Sequence, residues 1–247
     1  MQKKSTLAPD ALKYLTGEGS GLEFPAAISS SGGGGKFDHN GDVLTHPGNT
    51  FICHIDKHSG FYHSLSNLQE AIRALPLARY MTFLPKPSFH MTIFCGLSGD
   101  PLGVDGWPEG IQPGRSLESI SNQWHGRLVS GEKLGGFSMH PSYLQAPYRV
   151  SMQPASDEDA DALLDARQRL ENLTGLVRGD VQSYQFHVTL SYMVKWMSVE
   201  DAKTLMQQTN LLFSEHVLDN ELVKLGPVEF CTFDSMHRFT PFSKTVG

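Results

Sequence analysis

The word Phe-His-x-Thr-aliphatic occurs twice in this chain, as Phe89-His90-Met91-Thr92-Ile93 and as Phe186-His187-Val188-Thr189-Leu190, 97 residues apart. Each copy alternates apolar and polar residues, the period of a half-buried β-strand. Alternate side chains of a strand share a face. His90 and Thr92 therefore point one way, about 7 Å apart along the strand, while Met91 and Ile93 point the other. His187 and Thr189 are set against Val188 and Leu190 in the same manner. The apolar set can enter a core, and the histidine–threonine set must face water or a ligand. A single polar strand face is ordinary. Two matching words at matching places in the chain constrain the fold far more.

The places do match. Thr50-Phe51-Ile52-Cys53-His54-Ile55 reads as a strand. Ser64 precedes a helical stripe of Leu65, Leu68, Ile72 and Leu75, stopped by Pro76. Residues 80–84 and 89–95 follow as strands, a Gly/Pro-rich loop covers 96–115, and Leu117, Ile120, Trp124 and Leu128 mark a second helix. A weak strand spans 134–139. The order then restarts with a strand at 148–152. Ser156-Asp157-Glu158-Asp159 resembles a capping box opening a helix with Leu163, Leu164, Leu170 and Leu173. A strand over 185–192, a second capping-box match at Ser198, a helix to Leu212 and a strand over 222–233, bent at Gly226-Pro227, complete the pattern. Ile52 precedes His90 by 38 residues and Val150 precedes His187 by 37. These offsets predict an α+β fold: a bilobal duplicated unit, two antiparallel sheets facing a central cleft, with helices on the outer faces. The expected organisation is a single bilobal domain over 1–247, with a Gly/Ser/Pro-rich extension over 1–48, a first lobe over 49–143 and a second over 144–240.

The extension contains Ser29-Ser30-Ser31-Gly32-Gly33-Gly34-Gly35-Lys36, read as a mobile loop, with a flap over a site as the alternative. It is not a P-loop, because Phe37-Asp38 stands where Ser or Thr would open a helix. His39-Asn40-Gly41-Asp42 has the composition of a hairpin turn.

Hydrophobic residues make up 39% and charged residues 19%, enough apolar surface for a core. The formal net charge of −6 argues against a general DNA or RNA binder, which needs a basic face, and leaves room for a small anionic substrate. Cys53, Cys95 and Cys231 lie in apolar runs without a C-x-x-C pair and are expected to be buried, reduced thiols. No apolar run follows the N-terminal lysines, and none reaches membrane-spanning length. A cytoplasmic protein with no membrane or DNA partner is expected, and nothing in the sequence fixes its oligomeric state.

Paired histidines suit phosphoester cleavage. An imidazole titrates near pH ~6.5, so one ring can accept a proton while its partner donates one. Such transfers are each worth about 10²–10⁴ in rate. Threonine hydroxyls can hydrogen-bond the non-bridging oxygens, where charge gathers. No cofactor or metal is needed for this chemistry.

The paired His-x-Thr words resemble those of the two-histidine (2H) phosphoesterase superfamily, over roughly residues 50–235. The resemblance implies a bilobal duplicated fold, catalytic roles for His90 and His187, and phosphate binding by Thr92 and Thr189. It implies a cyclic phosphate or RNA end as substrate. The long N-terminal segment and the 96–115 loop set this chain apart from the smallest members.

Arg149 is a further candidate for substrate binding. Tyr148, Val150 and Met152 form the apolar face of its strand, which leaves Arg149 and Ser151 on the other. Phe94 shares the face of His90 by simple alternation and is a candidate to stack on a base. His54, Asp56 and His58 are read as a polar cluster, since nothing completes a metal site there. Two other readings stand beside the enzyme: a nucleotide or RNA-end binding module without turnover, and a metal protein, the latter resting only on the count of 11 histidines.

Overall fold

The two motif strands are hydrogen-bonded neighbours at the middle of one sheet. The computed structural model describes residues 10–129, 131, 133–146, 148–217 and 221–243. Its main elements run α1 (Ala11–Thr16), β1 (Gly48–His54), α2 (Gly60–Arg73), β2 (Met81–Phe83), β3 (His90–Ser98), α3 (Leu117–Val129), β4 (Ser138–Ala146), β5 (Arg149–Pro154), α4 (Asp157–Thr174), β6 (His187–Thr189), β7 (Ser191–Met193), α5 (Val199–His216), β8 (Val223–Lys224), β9 (Glu229–Ser235) and β10 (Arg238–Pro241). The fold is α+β, as the repeated order predicts. A curled antiparallel sheet has the order β10-β9-β1-β3-β6-β5-β4-β8, and β2 pairs with β7 in a small second sheet.

The two sheets expected to face each other are instead fused edge to edge, joined where Met91 of β3 pairs with Val188 of β6. Strands cross between the sequence halves. β4 pairs with β5, and β9 returns to pair with β1. Local patterning cannot show this, because a strand's alternation says which face is apolar and not which edge it joins.

The helices pack on the apolar face. Phe51, Phe94, Trp124 and Phe230 form an aromatic cluster there, with Phe51 stacked on Phe230 at 4.7 Å. Ser156 Oγ accepts from Asp159 N and Ser198 Oγ accepts from Asp201 N, so both predicted capping boxes start helices. The first long helix begins earlier than its leucine stripe implies. Ser59 caps it and Phe61 extends the buried stripe of Leu65, Leu68 and Ile72. Gln69 of that helix is fully buried, and its Nε2 donates to Leu84 O and Leu190 O, tying α2 to the end of the second motif.

The extension is built into the molecule rather than being a plain loop. Leu15 of α1 and Phe37 are fully buried. Phe37 bridges to Ile28 and Val43, and Asp38 accepts from Asn40 N and Asp42 N in the predicted turn, where Gly41 has φ 87°. Among the described residues, no helix is long and apolar enough to cross a membrane.

A bulge corrects one expectation about the first motif. Ile52 pairs with Thr92 but Phe51 pairs with Phe94, so β3 carries one extra residue between them. Alternation breaks there, and Ile93 and Phe94 both enter the core. Phe94 therefore does not share the face of His90 and cannot stack on a ligand. Cys95 takes the place on the polar face and is exposed, whereas Cys53 and Cys231 are buried and all three are free thiols.

Candidate active site

The strand ladder sets the site. His54 of β1 pairs with His90 of β3, and Thr189 of β6 pairs with Arg149 of β5. In the adjacent row Ile52 pairs with Thr92 and His187 with Ser151. The Met91–Val188 pair joins these rows across the middle. It places Thr189 beside His90 and His187 beside Thr92, so each histidine neighbours the threonine of the other motif. Directly opposed residues have Cβ atoms about 5 Å apart, and the diagonal that relates the two histidines is about 7–8 Å.

His90, Thr92, Arg149, His187 and Thr189 all line one cavity of about 240 Å³. It opens beside a larger one of about 620 Å³, and Lys36, His46, Ser98, Arg149 and Tyr192 border both. The five residues singled out in the sequence thus converge on one place. His58 and Asp56 do not: the Asp56 carboxylate accepts from His58 N in a local turn.

Both histidines are held in the same way. His90 Nδ1 lies 2.7 Å from Ser88 O and His187 Nδ1 lies 2.8 Å from Gln185 O, each the carbonyl two residues upstream. A carbonyl only accepts, so Nδ1 carries the proton in each neutral ring and Nε2 is the free nitrogen. Phe239 lies against the His90 ring at 4.3 Å, and Tyr184 stacks near His187 at 6.3 Å. Desolvation in the narrow cleft lowers both histidines from 6.5 to about 4. Arg149 adds to the effect at His187, and Lys36 adds at both. Each ring is therefore neutral near pH 7 until an anion arrives.

Positive charge collects here although the chain is acidic overall. Arg149 Nε is buried without a hydrogen-bond partner, and its guanidinium rests 5.3 Å from the Tyr148 ring centre. Lys36 Nζ sits 5.5 Å from the Tyr192 ring centre. Neither cation has a carboxylate partner among the described ion pairs. A phosphate would supply the missing counter-charge.

Sequence reading missed Lys36, His46, Cys95, Tyr184 and Tyr192 as lining residues. Lys36 was set aside with the P-loop it does not form, and Cys95 depends on the bulge. Tyr184 reaches the cavity because β6 is only three residues long. Beyond Thr92, β3 loses that neighbour, and arginines satisfy its carbonyls. Arg167 donates to Ile93 O at 2.6 Å, and Arg178 to Cys95 O and Gly96 O. The Arg167 guanidinium then lies 4.2 Å from the Tyr184 ring centre and supports it.

Residues 36–145 match the family model 2H-phosphodiest, described as a domain of unknown function (DUF1868). The match spans somewhat less than half of the chain and contains His90 and Thr92 but not His187 or Thr189. It points to a 2H phosphoesterase-like family and supports a phosphoesterase-type hydrolase in general, without specifying a branch or a substrate. The crystal structure of a conserved protein of unknown function from Agrobacterium tumefaciens is similar to this chain with a TM-score of 0.79 and 24% identity, covering 95% of this chain and 98% of that one. That likeness carries the fold alone. No curated protein matches the sequence.

Proposed function

We propose that this protein is a metal-independent phosphodiesterase that hydrolyses a cyclic phosphate or an RNA-end phosphodiester by paired-histidine acid–base catalysis. The observation that carries the reading is the identical setting of the two rings: each Nδ1–H is bound to the carbonyl two residues upstream, and each free Nε2 belongs to a ring lining the same cavity. One Nε2 takes a proton from the attacking water. The other, protonated, gives its proton to the leaving oxygen, so the bond to the leaving group breaks as the bond to water forms. Thr92 and Thr189 donate hydrogen bonds to the non-bridging oxygens, and Arg149 balances their charge. The pseudo-symmetric arrangement lets either ring take either role, according to how the substrate lies. The larger chamber, with Tyr148 and Trp196 in its wall, has room for the rest of a nucleotide.

A binding module without turnover has no use for two mirrored proton carriers. The separating experiment is incubation with 2′,3′-cyclic nucleotides, 2′–5′ linked oligonucleotides and 3′-ended RNA, followed by product analysis, with the double-histidine variant as control. Product in the wild type and none in the control is the expected result. Binding of these ligands without product would favour the module. A chelator is expected not to lower turnover. Arg149→Ala should reduce kcat/KM by about 10–100-fold, the worth of about 1.5–3 kcal/mol for a hydrogen bond to a charged group. An unchanged kcat/KM would remove Arg149 from the site.

The pH dependence follows from the lowered histidines. Catalysis needs one ring protonated and one neutral. In the free enzyme both rings lose their protons near pH 4, so the competent form becomes scarcer as pH rises above that value. Bound phosphate returns a proton to the pair, because its negative charge favours the imidazolium. The optimum of kcat/KM should therefore lie on the acid side of the optimum of kcat. Full pH profiles of both constants test this, and a kcat/KM optimum at or above that of kcat would contradict it. The same groups act on stability. Their folded pKa lies below the unfolded value, so the unfolded chain binds more protons between about pH 6.5 and 4, and stability falls as pH falls through that window.

A further inference from the structure

On the polar face of the sheet, one and two strands away from His90, three metal-binding side chains converge. Phe230 of β9 turns to the helix side to stack on Phe51, so its neighbours Glu229 and Cys231 turn the other way. Glu229 pairs with Ile52 and Cys231 with Thr50, and His54 lies at the end of the same strand as those partners. The donor atoms of His54, Glu229 and Cys231 all lie within 4.8 Å of one another. Among the described residues no other group of three such side chains comes so close. None of the three lines the cavity of the paired histidines.

We propose that His54, Glu229 and Cys231 bind a divalent cation of the zinc class. The donor set decides the class. One imidazole nitrogen, one carboxylate oxygen and one sulfur suit zinc, cobalt or nickel, whereas magnesium and calcium require oxygen-rich shells. Three protein ligands with a fourth position for water make a complete tetrahedral site. Adjacent strands hold the donors at fixed spacing, so little ordering is needed on binding. Access is available as well. The side chains of His54 and Glu229 are 27% and 34% exposed, while Cys231 forms the buried floor. Glu229 has no lysine or arginine partner among the described ion pairs. Its carboxylate lies 3.0 Å from His54 Nδ1, which leaves a negative charge for the ion to neutralise. An ion held there adds positive charge beside His90, the ladder partner of His54, and so opposes protonation of that ring.

The test is a zinc titration of chelator-stripped full-length protein against a competing chromophoric chelator, with a parallel cobalt(II) spectrum. The wild type should take up one equivalent. Cys231→Ser and His54→Ala should each weaken binding by at least about 100-fold, the upper end of what losing even an outer-shell partner costs. The cobalt complex of the wild type should show a thiolate-to-metal charge-transfer band that Cys231→Ser lacks. The His90→Ala/His187→Ala double variant should bind as the wild type does. If Cys231→Ser does not fold, as judged by circular dichroism, Glu229→Gln at the half-exposed position reads the same site. An ordinary His–Glu ion pair over an inert thiol predicts no stoichiometric zinc, and that result overturns the proposal. Binding that survives these ligand changes, or that vanishes in the double-histidine variant, overturns it too. Because the readout is metal uptake, failure here leaves the phosphodiesterase reading untouched, and the reverse holds.

Discussion

His90→Ala and His187→Ala are each expected to lower kcat by about 10²–10⁴-fold, the usual worth of one positioned proton carrier. The two losses should not add when both rings are removed, because acid and base act as one unit. The fold should survive either change. Each ring is half-buried at the mouth of a cavity, and its Nδ1 hydrogen-bonds to a local carbonyl. Relieving a desolvated imidazole costs little and even favours the folded state at mildly acidic pH, where the unfolded histidine gains a proton that the folded one resists. Turnover assays with circular dichroism as the folding control check this. Full activity in either single variant would end the paired-histidine reading. Loss of activity with loss of structure would call for His→Gln at the same positions, which keeps a polar side chain without the imidazole titration.

Arg167→Met should destabilise the protein by about 1–3 kcal/mol, the cost of leaving a buried carbonyl such as Ile93 O without its donor. Arg167 is 2% exposed. Its guanidinium donates to Ile93 O at 2.6 Å, Asp180 Oδ1 at 2.9 Å, Val181 O at 3.1 Å and Asp180 O at 3.3 Å. Methionine keeps much of the volume but leaves the buried Ile93 O without a donor, while Asp180, 54% exposed, can return to water. The effect should reach the active site. Ile93 O is the β3 carbonyl next to Thr92, and the ring of Tyr184 loses the cation that supports it. Urea unfolding of the variant measures the first consequence. The KM for a cyclic nucleotide measures the second, and it should rise. A stability change below about 1 kcal/mol would show that the exposed Asp180 and solvent together replace the network. In the sequence Arg167 stands four residues after Leu163 and three before Leu170, on the apolar stripe of α4, so its position points inward although its residue type suggests a solvated face. It faces inward with Leu163, Ala166 and Leu170, and because β6 stops after three residues the carbonyl of Ile93 on β3 is open to its guanidinium.

The same contrast runs through the site. His90, Thr92, His187 and Thr189 were legible because strand alternation is local: one polar residue in two must face away from the core, and two equal words declare two equal faces. Arg149 was legible for the same reason, since Tyr148, Val150 and Met152 are all buried around it. Ser156 and Ser198 were legible because a capping side chain meets a backbone N–H three residues away. Phe94 was misread because alternation assumes an unbroken strand, and one extra residue in β3 reverses the two faces beyond it. Lys36 and His46 were not singled out as site residues, although the flap alternative set the run ending at Lys36 over a site. Nothing in their local sequence tells how far the extension reaches, and only the burial of Phe37 against Tyr192, at 5.1 Å, seats that segment over the cavity.

The repeated Phe-His-x-Thr word determined two polar strand faces and the residue types available for proton transfer, and the strand and helix patterns around it determined an α+β order. These follow from chain periodicity, which acts over a few residues. Only the tertiary structure decided that the two strands are neighbours in one sheet, that each histidine lies beside the other motif's threonine, and that both rings are neutral in a desolvated cleft. Those properties depend on which edges pair and on what excludes water, and both are settled by contacts between residues far apart in the chain.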